Sequence, residues 1–330
     1  MAELDHWHPV LFADALGSKP APVRVCDHEL VLFRASNGRA TLGALADVCP
    51  HRGMRLSEGR VEGGRLVCPY HGWSFAPDGE GRSPATPTAR PCADAFDVIE
   101  RFGLIWIKRR GSPVVFPTID VSGHHLIGKT RHRAEAPLEV TLDNFIEVEH
   151  TPEVHALLGY PRERMPEVTC EVTSTDTSVR VVNEGPQKAL PRPLYSLLQI
   201  EPGDTFVDDW TTWFSPVYTV YDQYWFDPAT RQRRPNALRI VVFFVPVTAE
   251  RTDIFALSYA LAAPWERYGL NAFTYLLTRA FVVMELRRDV TLLGKLADKR
   301  PELRGRTLSR FDKPLGLARK RIETIYRGRS

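Results

Sequence analysis

The sequence predicts an α+β protein with an all-β N-terminal domain, followed by a domain that mixes strands and helices. The chain has 330 residues, a length that suits two ordinary domains. Residues 7–110 consist of short strand-like runs and turns, with no helix-period segment of useful length. The second half combines long apolar strands with a helical stretch. Because the composition changes around Pro113 to Pro117, we predict domains at residues 1–115 and 116–330.

The strands of the first domain are predicted from apolar runs bounded by turn residues. Residues 29–34 and 40–45 are strand-like and are separated by Ser36-Asn37-Gly38, and residues 102–107 form a third apolar run. In the second domain, residues 238–245 form a continuous apolar strand and residues 253–262 alternate in the manner of a strand.

Two short motifs, CPHRG and CPYHGW, interrupt the first domain. Together they place Cys49 and His51, then sixteen intervening residues, then Cys68 and His71. Two thiolates on one iron and two imidazoles on the other define a Rieske [2Fe–2S] centre. The alternative is a Cys₂His₂ zinc site. Zinc knuckles usually place their cysteines two to four residues apart and their histidines together. Here each loop supplies one of each, which favours the cluster.

Composition excludes several other classes of protein. The formal net charge is +3, which is too small to imply a nucleic-acid partner, and no apolar run approaches the length of a membrane span. The N-terminus lacks the pattern of a signal peptide, so we expect a cytoplasmic protein. Five cysteines argue against a disulfide framework, and we expect Cys26, Cys92 and Cys170 to be buried hydrophobic residues.

The segment DNFIEVEHTPEVH carries a second set of candidate metal ligands, His150 and His155, among several carboxylates. Two histidines and one carboxylate with open positions describe a non-haem Fe(II) site that activates oxygen. Five residues turn a helix through about 500°, so the two imidazoles would point about 140° apart on one straight helix. We therefore predict a helix from Leu138 to His150, a break at Thr151-Pro152 and a fresh turn that brings His155 back. The alternative is an ordinary polar amphipathic helix.

These motifs resemble the oxygenase components of the Rieske non-haem iron oxygenases, and the resemblance covers nearly the whole chain. It implies that Asn144, Glu147, His150 and His155 form the family's catalytic motif, with Glu147 in place of the usual bridging aspartate. It also implies a helix-grip fold for the second domain, in which an antiparallel sheet wraps a long helix. The family further implies a homotrimer, in which this acid links a histidine of the mononuclear site to a cluster histidine of a neighbouring subunit.

The third ligand of the iron is expected from a late helix, as the resemblance implies. Pro264 begins a helical stretch that we predict to run to about Ala297, and it carries Glu285 and Asp289. We favour Asp289 because the apolar turn after it resembles the family's pattern and because its side chain is shorter and stiffer. A surface ion pair of Asp289 with a neighbouring arginine or lysine is the alternative.

The resemblance implies an enzyme that takes single electrons into its cluster and uses O₂ to oxidise a small organic substrate. The chain length favours a monooxygenase of the vanillate O-demethylase type, which hydroxylates or demethylates, over a ring-dihydroxylating dioxygenase. The chain lacks GxGxxG in a strand–turn–helix setting, so a separate NAD(P)H-dependent reductase or ferredoxin is expected. A plain Rieske electron carrier and a binding module that uses the cavity remain alternatives.

Two further segments have open interpretations. The aromatic-rich run from Trp210 to Phe226 predicts either a pocket for an apolar or cationic substrate or ordinary sheet core. The basic tail from Arg300 to Arg329 predicts a solvated amphipathic helix or, alternatively, a docking surface for an acidic electron donor.

Overall fold

The computed structural model describes residues 3–36, 40–261 and 271–329. They divide into two compact units, one of residues 1–116 with 245–249 and one of residues 117–244 with 250–330. The first unit is built from strands and short turns, and the second mixes strands with helices, as predicted. No helix within the described ranges is long and apolar enough to cross a membrane.

The first unit contains three small antiparallel sheets, in the orders β1-β10-β9, β2-β3-β4 and β5-β6-β7-β8. The bounds of these strands are β1 His8–Phe12, β2 Ala21–Val25, β3 His28–Ser36, β4 Ala40–Ala46, β5 Arg60–Glu62, β6 Arg65–Val67, β7 Ser74–Phe75, β8 Gly81–Arg82, β9 Phe96–Arg101 and β10 Leu104–Arg109. The strands predicted at 29–34 and 40–45 are confirmed as parts of β3 and β4.

The strand predicted at 102–107 begins two residues later than expected. Phe102 and Gly103 form a tight turn in which both residues have positive φ, at 54° and 69°. Arg101 and Leu104 pair directly across that turn. A two-residue hairpin loop of this kind requires φ > 0 at both central positions, because its twist then matches that of the strands. The apolar run therefore includes a turn residue, Phe102.

The second unit is organised around a seven-stranded sheet in the order β11-β17-β16-β15-β14-β13-β12. Its strands are β11 His124–Ala134, β12 Thr169–Ser174, β13 Ser178–Pro186, β14 Thr205–Phe214, β15 Val217–Phe226, β16 Arg233–Thr248 and β17 Arg251–Leu261. The strands predicted at 238–245 and 253–262 are confirmed as parts of β16 and β17, and Ala262 lies outside the described residues.

Five α-helices accompany this sheet in the described ranges. They are α1 Leu138–Phe145, α2 Thr151–Val154, α3 Arg192–Leu198, α4 Asn271–Gly294 and α5 Lys313–Arg321. The long helix α4 packs against β11 and β17 and also contacts α1 and α2. It ends three residues before the predicted end at Ala297, and its predicted start at Pro264 lies outside the described residues. This packing brings the side chains of a late helix to the short helices that carry the histidines.

The basic tail forms the predicted amphipathic helix, but this helix is not solvated on all sides, and that part of the prediction is wrong. Its apolar residues Phe311, Leu315, Ala318, Ile322 and Tyr326 belong to the main buried core of the second unit. Helix α5 and the π-helical turn that follows it therefore pack against the sheet instead of lying in solvent. The prediction failed because charge dominates the composition of this segment, while its apolar stripe is sparse.

Two cationic side chains of the tail are also held by acids. Arg319 pairs with Asp143, and Arg327 pairs with Glu139 and Glu323. Asp143 and Glu139 both lie on α1. These ion pairs of the tail thus stabilise the position of α1, the helix that precedes the histidine segment.

Candidate functional site

Two matching loops carry the predicted cluster ligands of the first unit. In the loop after β4, the amide of Cys49 donates to the carbonyl of Met54 at 2.8 Å, and the amide of Gly53 donates to the carbonyl of Cys49 at 2.9 Å. The loop after β6 repeats this pattern, with Cys68 to Trp73 at 2.8 Å and Gly72 to Cys68 at 3.2 Å.

Both loops also turn at a glycine. Gly53 and Gly72 have φ of +72° and +70°, a conformation that glycine adopts at no steric cost. The same backbone shape is therefore used twice, once for each cysteine–histidine pair.

The four side chains are arranged with buried sulfur and exposed imidazole. Cys49 and Cys68 are each 2% exposed, whereas His51 and His71 lie at the surface. The two imidazole rings are 4.5 Å apart between centroids, and His51 also stacks on Trp73. Partial desolvation and the neighbouring His51 and Arg52 lower the pKa of His71, which favours the neutral imidazole that can bind a metal. The donor set therefore fits a cluster with a thiolate-bound iron inside and an imidazole-bound iron facing out.

The three other cysteines differ from our expectation of buried hydrophobic residues. Cys92 is exposed, and Cys26 and Cys170 are only half-buried. Cys92 lies in a loop near the short strand β8, with its backbone bridged to Glu80, so its side chain is left at the surface. None of the three belongs to either cluster loop.

The histidine segment of the second unit folds differently from its predicted course. Helix α1 ends at Phe145, not at His150, and Ile146 has left the helical region with φ −124° and ψ 22°. Thr151-Pro152 does not break a helix. It begins α2, with Pro152 in the first turn, where a missing N–H costs nothing. The reorientation of the two histidines is therefore achieved by the five residues between the helices.

Glu147 satisfies two backbone amides beyond the end of α1. Its Oε2 accepts the amide of Glu149 at 2.5 Å and the amide of His150 at 3.3 Å. In a continuing helix these amides would bond to carbonyls four residues earlier. Its Oε1 contacts Nδ1 of His150, which leaves Nε2 of that ring free to face a metal.

Three groups that could hold a metal ion converge next to α2. The nearest ligand atoms of His150, His155 and Asp289 all lie within 4.8 Å of one another. Oδ1 of Asp289 is 3.0 Å from Nε2 of His155 and 3.4 Å from Nε2 of His150. Two imidazole nitrogens and one carboxylate aimed at one point form the donor set of a non-haem Fe(II) site. The surface ion pair that was the alternative for Asp289 does not occur, since this residue is buried.

The electrostatics of this cluster favour a cation. Burial alone would raise the pKa of Asp289, but its hydrogen bonds with His150 and His155 hold that pKa well below its usual range. Burial lowers the pKa of His150, yet contacts with Asp289 and Glu147 outweigh it and raise the pKa to about 10. The two acids therefore favour positive charge at this position, either as a proton on His150 or as a divalent ion that displaces this proton.

Glu285 and Lys188 anchor the chain that carries His155. The Glu285 carboxylate accepts the amides of Ala156 and Leu157, at 3.1 and 3.2 Å. Lys188 Nζ donates to the carbonyls of Pro152 at 3.0 Å and His155 at 2.8 Å. Sequence reasoning missed Lys188, because nothing in its local pattern indicates that it closes the end of α2.

A cavity opens above the three metal-ligating groups. Its wall combines the metal group, Asn144 and Glu147 with apolar side chains from α1, α4, the sheet and the loop after α2, among them Phe145, Leu158, Ile240, Val242, Val282 and Leu286. Nδ2 of Asn144 is buried and makes no hydrogen bond within the described part of the chain. Every predicted residue of the mononuclear site thus borders one space.

Some aromatic residues of the segment from Trp210 to Phe226 line the cavity, and others belong to the core of the sheet, so each interpretation holds for part of the segment. Trp210 and Tyr221 line the cavity. Phe214 and Trp225 are fully buried in the core of the sheet. All four share one face of the sheet, because residues four apart in a strand point to the same side, and they differ only in their position along β14 and β15.

The fold and the two sites define a protein that combines a Rieske-type cluster domain with a mononuclear iron domain. Residues 6–102 match the family described as the Rieske [2Fe-2S] domain. Residues 134–326 match the family described as the vanillate O-demethylase oxygenase C-terminal domain. The chain therefore belongs to the Rieske non-haem iron oxygenases, in the group defined by that C-terminal domain.

Individual relatives agree with this assignment. The chain is 31% identical over 163 residues to the vanillate O-demethylase oxygenase subunit of a Pseudomonas species, covering 46% of this chain and 44% of that protein. It is 30% identical over 164 residues to the oxygenase component of dicamba O-demethylase from Stenotrophomonas maltophilia, covering 45% and 46%. The matched segment thus spans somewhat less than half of each relative.

The fold is shared over almost the full length of solved structures. Dicamba monooxygenase bound to 3,6-dichlorosalicylic acid superimposes with a TM-score of 0.74, covering 98% of this chain and 97% of that one at 20% identity. The α+β class with a Rieske domain followed by the sheet-rich second domain is confirmed. The cofactors predicted from the motifs, a [2Fe–2S] cluster and a mononuclear iron, are confirmed for the family. Which residues bind them stays a prediction.

Proposed function

We propose that this chain is the oxygenase component of a multicomponent monooxygenase, which hydroxylates or oxidatively demethylates a small organic substrate. The observation that carries the proposal is the convergence of His150, His155 and Asp289 at a largely apolar cavity, in a chain that also has a Rieske domain. When bound, the two iron centres supply single-electron transfer and O₂ activation. The protein positions the substrate and excludes water.

The proposed assignment of residues follows the geometry of each site. Cys49 and Cys68 bind one iron of the cluster, and His51 and His71 bind the other. His150, His155 and Asp289 bind the mononuclear iron. We propose residues 1–115 as the cluster domain and residues 116–330 as the catalytic domain.

Two further residues of the motif support the catalytic site without binding the iron. Glu147 orients His150 through its Nδ1 and, in a homotrimer, links that ring to a cluster histidine of a neighbouring subunit. Asn144 offers its unpaired amide to the cavity.

The remaining parts of the proposal concern partners. Electrons come from a separate NAD(P)H-dependent reductase, a ferredoxin or both. The protein forms a homotrimer, which light scattering after size-exclusion chromatography would test. We also propose a cytoplasmic location, which the cysteines support, because none of the five forms a disulfide and such a set is typical of a reducing compartment.

The experiment is reconstitution of the iron-loaded protein with a surrogate reductase and NADH. Methoxylated and N-methylated aromatic compounds are supplied under ¹⁸O₂, and products are identified by mass spectrometry. One labelled oxygen in a hydroxylated product, or release of formaldehyde from a demethylated one, would support monooxygenation. Two labelled oxygens in a ring diol would support dihydroxylation instead. Ligand binding without NADH-dependent product would identify a binding module and overturn the proposal.

A further inference from the structure

One wall of the cavity carries a row of polar side chains that the proposed chemistry does not use. Asp208 on β14 pairs directly with Gln223 on β15, and on the other side it pairs with Asn183 on β13. Directly paired residues of an antiparallel sheet point to the same face. Asp208 and Gln223 both line the cavity, and each is only 8% exposed. Two polar groups thus lie side by side in a mostly apolar wall.

Asp208 differs from the three other acids of that wall, because within the described ranges neither a cationic side chain nor a backbone amide donates a hydrogen bond to its carboxylate. Asp289 contacts both histidines, Glu147 accepts two amides, and Glu285 accepts the amides after His155. Asp208 receives a hydrogen bond from Nε2 of Gln223 at 3.2 Å and from no other side chain in the described ranges. A buried carboxylate is stable only with a partner or at a raised pKa, and burial raises the pKa of Asp208 to about 6.

The neighbours of Asp208 have hydrogen-bonding capacity to spare. Gln223 and Trp210 line the cavity, and Oε1 of Gln223 and Nε1 of Trp210 are buried atoms with no hydrogen-bond partner within the described residues. The cavity beside these two residues has a volume of about 80 Å³. Two hydrogen-bond acceptors, the carboxylate of Asp208 and Oε1 of Gln223, therefore lie near one donor, Nε1 of Trp210.

The charge of the wall beside Asp208 disfavours one class of ligand. No lysine or arginine is among the described side chains that line the cavity, so a ligand carboxylate would find no guanidinium or ammonium there. Against Asp208 it would meet a like charge in a region of low dielectric. A group that carries protons on nitrogen would instead complete the hydrogen bonds of Asp208 and Gln223.

We infer that Asp208 and Gln223 form a subsite for a protonated amine. The substrate then carries an ammonium group attached to an apolar body. The ammonium donates to Asp208 and to Oε1 of Gln223, Trp210 Nε1 donates to an acceptor on the substrate, and the apolar body lies against Ile240 and Val242. The inference deepens the proposed function and rests on it in one respect, since it takes this cavity as the substrate site.

Calorimetry on the protein loaded with both iron centres, without O₂ or reductant, tests the subsite. The probes are benzylamine, benzyl alcohol and benzoate, which share a ring and differ in the polar end. Benzylamine is expected to bind most tightly and benzoate most weakly. Asp208→Asn keeps the shape of the side chain and removes its charge, so it should lower the affinity for benzylamine about 10- to 100-fold. The difference in affinity between benzylamine and benzoate should become smaller.

Asp209→Asn is the matched control. Asp209 is the next residue on β14, points to the opposite face and pairs with Arg180 at 2.9 and 2.6 Å. This variant should bind all three probes as the unmodified protein does. An equal effect of Asp209→Asn, or an unchanged affinity of Asp208→Asn for benzylamine, would overturn the subsite and leave Asp208 as a residue that binds only water.

Three further outcomes are distinguishable. If Asp208→Asn fails to fold, the ranking of the probes on the unmodified protein decides, and benzylamine binding no better than benzyl alcohol overturns the inference. If benzylamine binds through Asp208 but no substrate amine gives NADH-dependent product, the subsite stands and the proposed function fails. If product forms only from carboxylates, the proposed function stands and the subsite fails.

Discussion

Oδ1 of Asp289 lies 3.0 Å from Nε2 of His155, although 134 residues separate the two in the chain. Helix α4 brings this carboxylate to α2, and one turn earlier the same helix presents Glu285 to the amides that follow His155. Two acids of one helix therefore have different partners. One faces imidazole nitrogens, and the other holds the backbone in place.

We expect Asp289→Ala to lose the mononuclear iron and to keep the colour of the cluster. Removing the carboxylate takes away one of three protein ligands while leaving the first unit untouched. Iron analysis and the visible spectrum would measure both, and product formation should be abolished.

Glu285→Ala serves as the comparison for that variant. It should retain the iron but lower the free energy of unfolding by about 1 kcal/mol, because the partly exposed amides of Ala156 and Leu157 lose their acceptor. If Glu285→Ala loses the iron while Asp289→Ala keeps it, the ligand has been assigned to the wrong acid.

Purified protein is expected to be red-brown and to carry about three irons per chain when fully loaded, two in the cluster and one alone. Cys68→Ser should abolish the visible spectrum, because a buried thiolate ligand of the cluster is lost. Cys92→Ser should leave it unchanged, since this exposed cysteine belongs to neither loop. A colourless protein that contains only zinc would contradict the cluster assignment.

For Glu147→Gln we expect both metal sites to remain and turnover to fall about 10- to 100-fold, a typical effect of removing the partner that orients a ligating histidine. The neutral side-chain amide of glutamine accepts a weaker hydrogen bond from Nδ1 of His150 than the carboxylate does. Stopped-flow spectra should show that reduced cluster persists when O₂ and substrate are added. Glu149→Gln, at the exposed neighbouring acid, should turn over normally, and normal turnover of Glu147→Gln would leave Glu147 no role in the reaction.

The pH dependence of stability should differ between the unmodified protein and Asp208→Asn. Burial raises the pKa of Asp208 from 3.8 to about 6, with His150, His155 and Asp209 as its charged neighbours. Between these values the folded protein binds more protons than the unfolded chain, so this group lowers stability as pH rises and has no further effect above about pH 6.

From pH 5 to pH 8 the loss from Asp208 amounts to about 1.4 kcal/mol, close to the energy of one pKa unit. Asp208→Asn should not show it, so its melting temperature relative to the unmodified protein should rise across this interval. The Asp209→Asn control should follow the unmodified protein. Parallel curves for Asp208→Asn and the unmodified protein would show that Asp208 is ionised at its ordinary pKa.

The sequence by itself determined the cluster site, because each of its loops is local. Cys49 with His51 and Cys68 with His71 sit within short segments whose turns depend on neighbouring glycines, so spacing alone indicates the chemistry. The strands β3, β4, β16 and β17 were also predictable, since a run of apolar residues reports a buried strand directly.

Only the tertiary structure decided how the mononuclear site and the cavity are built. Beyond the end of α1, the Glu147 carboxylate accepts two amides that a continuing helix would use, which helix periodicity cannot reveal. The partners of Asp289, Glu285 and Lys188 lie tens to more than a hundred residues away. The pairing of Asp208 with Gln223 follows from strand register across β14 and β15. Contacts of this kind arise from the packing of distant elements, and no local pattern of residue types encodes which elements will pack together.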